Sequence, residues 1–145
     1  MSYIYSLVHV VITTYKREKT LVEVTKKDLY RYIWGIIKNQ RCVLVRINGI
    51  EDHIHILMEL RSDVALAQLV AAIKRSSSIW LKETKLMPTF KGWGNGYAAF
   101  TCSFGTKEKI SSYIINQENH HKTESSDDEF VRLLGEHGLK KNDFD

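Results

Sequence analysis

The sequence has 145 residues, of which 43% are hydrophobic and 26% are charged, so one domain with a core of its own is expected. This length and composition exclude a disordered tail, a multidomain machine and, with only two cysteines, a miniprotein held together by disulfides. The net charge of +4 combines a basic beginning (residues 1–50, with nine basic and three acidic side chains) with an acidic end (residues 101–145, with six and nine), which suits a polyanionic partner without identifying one.

The hydrophobic patterns predict six core elements followed by two C-terminal helices. In chain order they are a strand over 3–14, a helix over 25–39, strands over 42–50 and 52–60, a helix containing residues 66–81, a strand over 97–103, a helix over about 106–121 and an acidic-started helix over about 127–137. The order β-α-β-β-α-β is that of the ferredoxin-like split βαβ motif. We therefore predict an α+β fold, in which residues 1–145 form one domain with a core of about 3–104 and an antiparallel sheet with helices on one face. The other face remains for solvent, a partner or the additional helices.

No targeting or membrane segment is expected. Residues 3–14 alternate in hydrophobicity instead of forming the uniform apolar segment of a secretory signal. The longest nearly apolar run, residues 64–73, is too short to span a bilayer. Cys42 and Cys102 do not form a CxxC motif, which favours two reduced thiols over a disulfide. We expect a cytoplasmic protein.

The third predicted strand carries two histidines on one face. Within residues 52–60, period-two alternation places a fully apolar set, which includes Ile54 and Ile56, toward the packing helices. His53 and His55 then project together from the opposite face, close enough to share one metal ion. Because a His-x-His pair often arises by chance, this pattern alone leaves a metal site and two packed histidines equally open.

The helix after the fourth strand places two further polar side chains on one face. Tyr113 and Gln117 are four residues apart, so they lie one turn from each other on the same side of a helix over about 106–121. A phenol, an amide and two imidazoles could then converge on the open face of the sheet. Taken separately, a half-buried tyrosine and a solvated glutamine are the simpler interpretations.

The combination of His53-Ile54-His55 with Tyr113-x-x-x-Gln117 resembles a known pair of motifs. The two histidines around a hydrophobic residue resemble the HUH motif. The tyrosine and glutamine resemble the tyrosine-helix motif of single-tyrosine HUH transposases from small bacterial insertion sequences, the IS200-like class. The resemblance extends over nearly the whole chain, through residues 7–17 of the first strand, 96–100 of the fourth strand and 130–138 of the last helix.

This resemblance implies a DNA transposase that cleaves and rejoins single-stranded DNA at hairpin-bearing element ends. Tyr113 would be the nucleophile and would form a 5′-phosphotyrosine while a 3′-hydroxyl is released. His53, His55 and Gln117 would hold one Mg²⁺ or Mn²⁺ ion through neutral ligands that leave its charge uncancelled. The family's enzymes are usually homodimers, in which active sites can be shared between subunits. No nucleoside triphosphate is required, in keeping with a sequence that contains no GxxxxGK[ST] loop.

Further positions are weaker candidates for DNA contacts. Two basic pairs, Lys16-Arg17 and Lys74-Arg75, could hold phosphates, and Trp93 could stack on an unpaired base. A solvated surface and a packed core are equally good interpretations of these residues. Four polar residues near the motifs have open roles: His9, Glu59, His120 and His121.

Three other functions remain open. A domesticated, REP-associated tyrosine transposase would process genomic palindromes with the same chemistry. A metal-dependent phosphodiesterase would use His53 and His55 with water as the nucleophile, and it would not need Tyr113. A non-catalytic ferredoxin-like nucleic-acid-binding module would bind its ligand without a metal.

Overall fold

The predicted alternation of strands and helices is present in a computed structural model that describes residues 1–141. The strands are β1 (Leu7–Thr13), β2 (Val43–Ile50), β3 (His53–Glu59) and β4 (Ala98–Cys102). The helices are α1 (Lys26–Asn39), α2 (Leu66–Thr84), α3 (Lys107–Ile115), α4 (Gln117–His120) and α5 (Ser126–Glu136). The four strands form one antiparallel sheet in the order β2-β3-β1-β4, which confirms the predicted α+β fold. The last four residues of the predicted domain, 142–145, lie outside the described residues.

Alternation in β3 sends every second side chain into the main core. Ile54, Ile56 and Met58 are each 0% exposed, and they pack with Ile33 of α1 and Ile73 of α2. Burial of an aliphatic side chain of this size contributes about 1.5–3 kcal/mol to folding stability, so these residues determine which face of β3 is turned toward the core. The residues between them must point to the opposite face of the sheet.

The opposite face of the sheet is covered by the C-terminal helices. Leu57 packs against Ile114 of α3, and a second apolar cluster joins β4 to Leu133 of α5. Of the three possibilities for this face, the chain uses its own additional helices. His53 and His55 are consequently 3% and 0% exposed, because these helices close the face of the sheet that carries them.

The tyrosine-bearing segment differs from the predicted continuous helix over 106–121. Helix α3 ends at Ile115, and Asn116 leaves the helical conformation with φ −90° and ψ 24°. The break is stabilised by Asn48 of β2, whose Nδ2 donates to the carbonyl oxygens of Ile114 (3.1 Å) and Ile115 (2.9 Å). Since carbonyls at a helix end lack an intrahelical donor, the sheet supplies one and fixes where the helix stops.

Replacing Asn48 by alanine is expected to destabilise the protein by about 1–2 kcal/mol, because two helix-end carbonyls lose their donor. Chemical unfolding would measure the change in the free energy of unfolding. Asn119→Ala, at an exposed position of α4, is the matched control. An Asn48→Ala protein as stable as this control would show that Asn48 does not hold the break.

The remaining expectations concern the first strand, the cysteines and the membrane. β1 begins at Leu7, later than predicted, because β3 ends at Glu59, the residue that pairs with Leu7. Cys42 and Cys102 are both free thiols, as predicted. Within residues 1–141, no helix combines the length and the apolar character needed to cross a bilayer.

Candidate active site

His53 and His55 lie on the covered face of β3, and each imidazole is oriented by a partner at Nδ1. His53 Nδ1 donates to Asp52 Oδ1 at 2.7 Å, and His55 Nδ1 lies 2.8 Å from His9 Nε2 on β1. Burial lowers the pKa of His9 to about 3, so this third imidazole is neutral. Partners of this kind orient the histidines of metal sites. Both Nε2 atoms are thereby left to face the same space beneath α5.

That space contains the carboxylate of Glu129, which α5 brings to the sheet. Glu129 Oε1 lies 3.0 Å from the Nε2 atoms of both His53 and His55, and the residue is only 2% exposed. The ligand atoms of the three residues lie within 4.8 Å of one another, so they could hold a metal ion. Two imidazoles and a carboxylate suit a divalent transition ion. The predicted ligand set contained no carboxylate, and Glu129 would cancel part of the ion's charge.

The start of α5 is fixed by two hydrogen bonds. Ser125 Oγ accepts from the Asp128 backbone N–H at 3.1 Å and caps the helix. Ser126 Oγ donates to Asp52 Oδ1 at 2.9 Å, and this carboxylate also orients His53. The strand that carries the histidines and the helix that carries Glu129 are therefore joined at Asp52.

Tyr113 and Gln117 reach the same carboxylate from α3 and α4. The Tyr113 hydroxyl donates to Glu129 Oε2, and Gln117 Nε2 donates to that oxygen at 3.2 Å. Gln117 Oε1 lies 3.2 Å from His53 Nε2. The two oxygens of Glu129 thus divide the site, with Oε1 toward the imidazoles and Oε2 toward the tyrosine and the amide. The structure brings together all four residues that the motifs singled out, despite the break between the helices.

Sequence reasoning missed Glu129 because this residue belongs to an acidic run at the start of a helix. Asp127, Asp128 and Glu129 all complement the helix dipole, a role that needs no buried carboxylate. The first two are exposed, as that role predicts, whereas Glu129 is buried. The available signal was the helical period, since Glu129 precedes the core residue Leu133 by one turn and shares its face.

The buried charges of the site depend on one another. Burial alone would lower the pKa of His53, but its hydrogen bonds with Asp52 and Glu129 raise that pKa to about 9. Burial would raise the pKa of Glu129, but the two imidazoles and the Tyr113 hydroxyl hold it well below its usual range. Burial and the Glu129 carboxylate raise the pKa of Tyr113. Without a metal, the site therefore holds a protonated His53, an ionised Glu129 and a neutral tyrosine at pH 7.

Metal binding is expected to compete with the proton on His53. Because ligation requires the neutral imidazole, the affinity for Mn²⁺ should rise by up to about tenfold per pH unit and level off above the His53 pKa of about 9. Calorimetry in buffers of different ionisation enthalpy would count the released proton. Glu129→Gln removes a group that raises the His53 pKa, so the pH above which Mn²⁺ affinity stops rising should be lower in this variant. An affinity that is flat between about pH 6 and 9 would contradict the expectation.

Two of the weaker candidates have structural partners. Lys74 Nζ donates to the carbonyl oxygens of Gly94 (2.7 Å) and Gly96 (3.1 Å) and ties down the glycine-rich loop. Trp93 is 9% exposed, and its indole N–H donates to Ser77 Oγ at 2.9 Å. Trp93 is thus placed as a core residue and offers no open ring face to a base.

The other basic candidates lie at the surface. Lys16 and Arg75 are exposed. The Arg17 guanidinium lies 3.4 Å from Asp127 and 5.2 Å from the centre of the Phe130 ring. Arg17 therefore lies beside the first turn of α5, close to the candidate site. DNA contacts by these residues stay a prediction.

Three of the four residues with open roles join the site, and one does not. His9 holds the second histidine of the motif, and His121 Nε2 lies 3.2 Å from the central carboxylate. The ring of His120 packs on the candidate nucleophile, with 4.3 Å between the centroids. Glu59 instead forms an ion pair with Lys107 at 2.9 Å.

Comparisons with known proteins point to one family. The family model described as "Transposase IS200 like" matches residues 3–117, which include both histidines, the tyrosine and, at the last position, Gln117. No curated protein sequence matches the chain. A solved structure of a candidate transposase from Deinococcus radiodurans R1 is 24% identical, with a TM-score of 0.63 over 81% of this chain and 95% of that chain. A REP-associated tyrosine transposase bound to a REP hairpin is 14% identical, with a TM-score of 0.63 over 83% and 72%. Both share the fold.

Proposed function

Because the chain belongs to the IS200-like transposase family, we propose that it cleaves and rejoins single-stranded DNA at hairpin-bearing ends through a covalent bond to Tyr113. One observation carries the proposal: the Tyr113 hydroxyl contacts the carboxylate that also touches both imidazoles. A candidate nucleophile and a candidate metal group therefore meet at one carboxylate. A phosphodiesterase that activates water would not need a tyrosine at this point.

In this proposal the chain supplies the nucleophile and a proton acceptor. Tyr113 Oη bonds to the scissile phosphorus while the bond from phosphorus to the 3′ oxygen breaks, which leaves a 5′-phosphotyrosine and a free 3′-hydroxyl. The tyrosine proton passes to Glu129 Oε2, which the hydroxyl already contacts, and is released from there to water, while the 3′ oxygen takes up a proton from the solvent, so that no net charge is left behind. Rejoining reverses the phosphoryl transfer and the proton transfers. Because the phosphotyrosine retains the free energy of the broken phosphodiester bond, no nucleotide is consumed.

His53, His55 and Glu129 would hold the divalent ion, with Gln117 beside them. When bound, Mg²⁺ or Mn²⁺ would withdraw charge from the phosphate oxygens and the leaving oxygen. The nitrogen ligands favour Mn²⁺ over Mg²⁺, which prefers oxygen. The partners at the two Nδ1 atoms keep the imidazoles aimed at the site.

The homodimer expected for the family stays a prediction. Within the described chain, Tyr113 contacts Glu129 and its ring lies beside His55, which supports a site whose tyrosine and histidines come from the same subunit. We propose that a second subunit serves to hold a second DNA segment, since strand exchange needs two.

The proposal is tested with single-stranded oligonucleotides that carry imperfect hairpins and a label at one end. With Mn²⁺, we expect a protein–DNA adduct that survives denaturation when the label is at the 3′ end, because the tyrosine keeps the 5′ phosphate of the downstream strand. The upstream strand should be released with a 3′-hydroxyl. Adding an excess of an oligonucleotide that ends in a 3′-hydroxyl should consume the adduct and give a joined product.

Other outcomes would favour other functions. Cleavage without an adduct would indicate a phosphodiesterase, and binding without cleavage would indicate a nucleic-acid-binding module. A REP-associated enzyme is the second candidate, favoured by the fold shared with the transposase that binds a REP hairpin. Adduct formation restricted to hairpins of repeated genomic palindromes would support it over a transposase of element ends.

A further inference from the structure

Arg132 of α5 contacts the oxygen of the candidate nucleophile. Its Nη2 donates to Tyr113 Oη at 2.6 Å, and its guanidinium carbon lies 5.3 Å from the centre of the tyrosine ring. The same hydroxyl donates its own proton to Glu129. Because the oxygen gives one hydrogen bond and accepts another, the direction of its remaining lone pair is fixed.

The guanidinium of Arg132 is held in place by two carboxylates. Nε and Nη2 donate to the two oxygens of Glu124 at 2.9 and 3.0 Å, and Nη1 donates to Glu136 Oε1 at 2.9 Å. A bidentate pair fixes the plane of the guanidinium. Nη2 is therefore aimed at the tyrosine oxygen before any substrate binds, which is the arrangement that stabilises developing charge most effectively.

A cavity of about 440 Å³ opens beside these groups. Its lining includes Tyr113 and Arg132, the ammonium-bearing Lys109, and the hydroxyl residues Ser103 and Thr106. Cations and hydroxyl donors of this kind are the usual contacts of a DNA phosphate. Since the Arg132 side chain is 37% exposed, a phosphate at the tyrosine could reach it.

We propose that Arg132 is a catalytic residue of strand transfer, which stabilises negative charge on the Tyr113 oxygen. This inference rests on the proposed function. In cleavage, Oη gains charge as its proton leaves and before its bond to phosphorus is complete. In rejoining, the bond from phosphorus to Oη breaks and its electron pair stays on that oxygen. Arg132 Nη2 donates to the same atom in both directions.

The candidate metal group and Arg132 meet the tyrosine in different ways. Within residues 1–141, Arg132 is the cation placed in hydrogen-bond contact with Tyr113 Oη, whereas the candidate metal group meets the tyrosine through Glu129. Glu129 and Arg132 both belong to α5, which lies beyond the residues that the family model matches. The helix would thus complete a site whose histidines and tyrosine come from the matched part of the chain.

The test compares single-turnover rates of adduct formation at saturating DNA and Mn²⁺. We expect Arg132→Ala to lower the rate by about 10²–10³-fold, the cost of removing one preorganised donor in other enzymes. Arg132→Lys should retain part of the rate, and added guanidinium should rescue Arg132→Ala in a dose-dependent way. The affinity for Mn²⁺ should stay within about twofold, because Arg132 is not part of the candidate metal group. Val131→Ala, at a half-exposed position of α5, should behave as wild type.

Several outcomes would overturn the inference. An Arg132→Ala rate within about threefold of wild type would show that the contact has no catalytic role. If the Arg132→Ala rate is not rescued by guanidinium, and if Mn²⁺ affinity or thermal stability decreases as well, the role of Arg132 is structural alone. If the wild-type protein forms no adduct, the proposed function fails and the inference fails with it. If the wild-type protein forms the adduct, the Arg132 variants test the role of Arg132 independently of the proposed function.

Discussion

Replacing Tyr113 by phenylalanine is expected to lower the rate of adduct formation by at least about 10⁴-fold, because the oxygen that would bond to phosphorus is lost. The affinity for Mn²⁺ and for hairpin DNA should be retained, since the imidazoles and Glu129 keep their mutual contacts. The measurement is the yield of denaturation-resistant adduct against time, alongside calorimetric titration with Mn²⁺.

The control for this substitution is Tyr3→Phe, which removes a hydroxyl from a side chain that is 88% exposed. Its adduct yield should equal that of wild type. Adduct formation by Tyr113→Phe at more than about 1% of the wild-type rate would identify another nucleophile. If wild type and Tyr113→Phe both cleave the DNA without forming an adduct, the nucleophile is water.

Glu129→Ala is expected to weaken Mn²⁺ binding by more than the roughly 10–100-fold that follows the loss of a supporting residue, because a ligand itself is removed. Adduct formation should fall with it, since Glu129 also contacts the Tyr113 hydroxyl. Manganese binding can be followed by electron paramagnetic resonance, which reports the free ion and does not depend on activity.

Two variants separate the explanations for an effect at Glu129. Asp128→Ala removes the neighbouring carboxylate, which is exposed, and should leave Mn²⁺ affinity unchanged. Glu129→Gln keeps the shape of the side chain and removes its charge, so it should also bind Mn²⁺ weakly. If Glu129→Ala binds Mn²⁺ as tightly as wild type, the carboxylate is not a ligand and the imidazoles and Gln117 must suffice.

The part of the site that could be predicted from the sequence is the part set by local periodicity. The period of two in β3 separates Ile54 and Ile56 from His53 and His55, because only one set can be buried against α1 and α2. The spacing of Tyr113 and Gln117 correctly predicts that the two side chains lie close together. This holds even though the helix breaks between them, where Asn48 binds the last carbonyls of α3.

The part that could not be predicted depends on tertiary packing. Glu129 and Arg132 reach the site because α5 folds back over the sheet. The helical period that Glu129 shares with Leu133 places it on the packing face of α5, but it does not say which groups that face meets. Trp93 and Lys74 illustrate the same limit, since an aromatic ring and a basic side chain that would suit DNA also have partners within the chain, Ser77 and the loop carbonyls. Residue type alone cannot distinguish a contact to DNA from a contact within the chain, because the same side chains can make either.

The position of α5 in the chain has a consequence for the order in which the candidate site is assembled during synthesis. Chains fold from the N-terminus as they leave the ribosome, so the sheet with His53, His55 and the tyrosine segment can form first. Glu129 and Arg132 follow all of these residues in the sequence. A nascent chain that has not yet reached α5 would therefore carry the histidines and the tyrosine without the carboxylate and the guanidinium that join them.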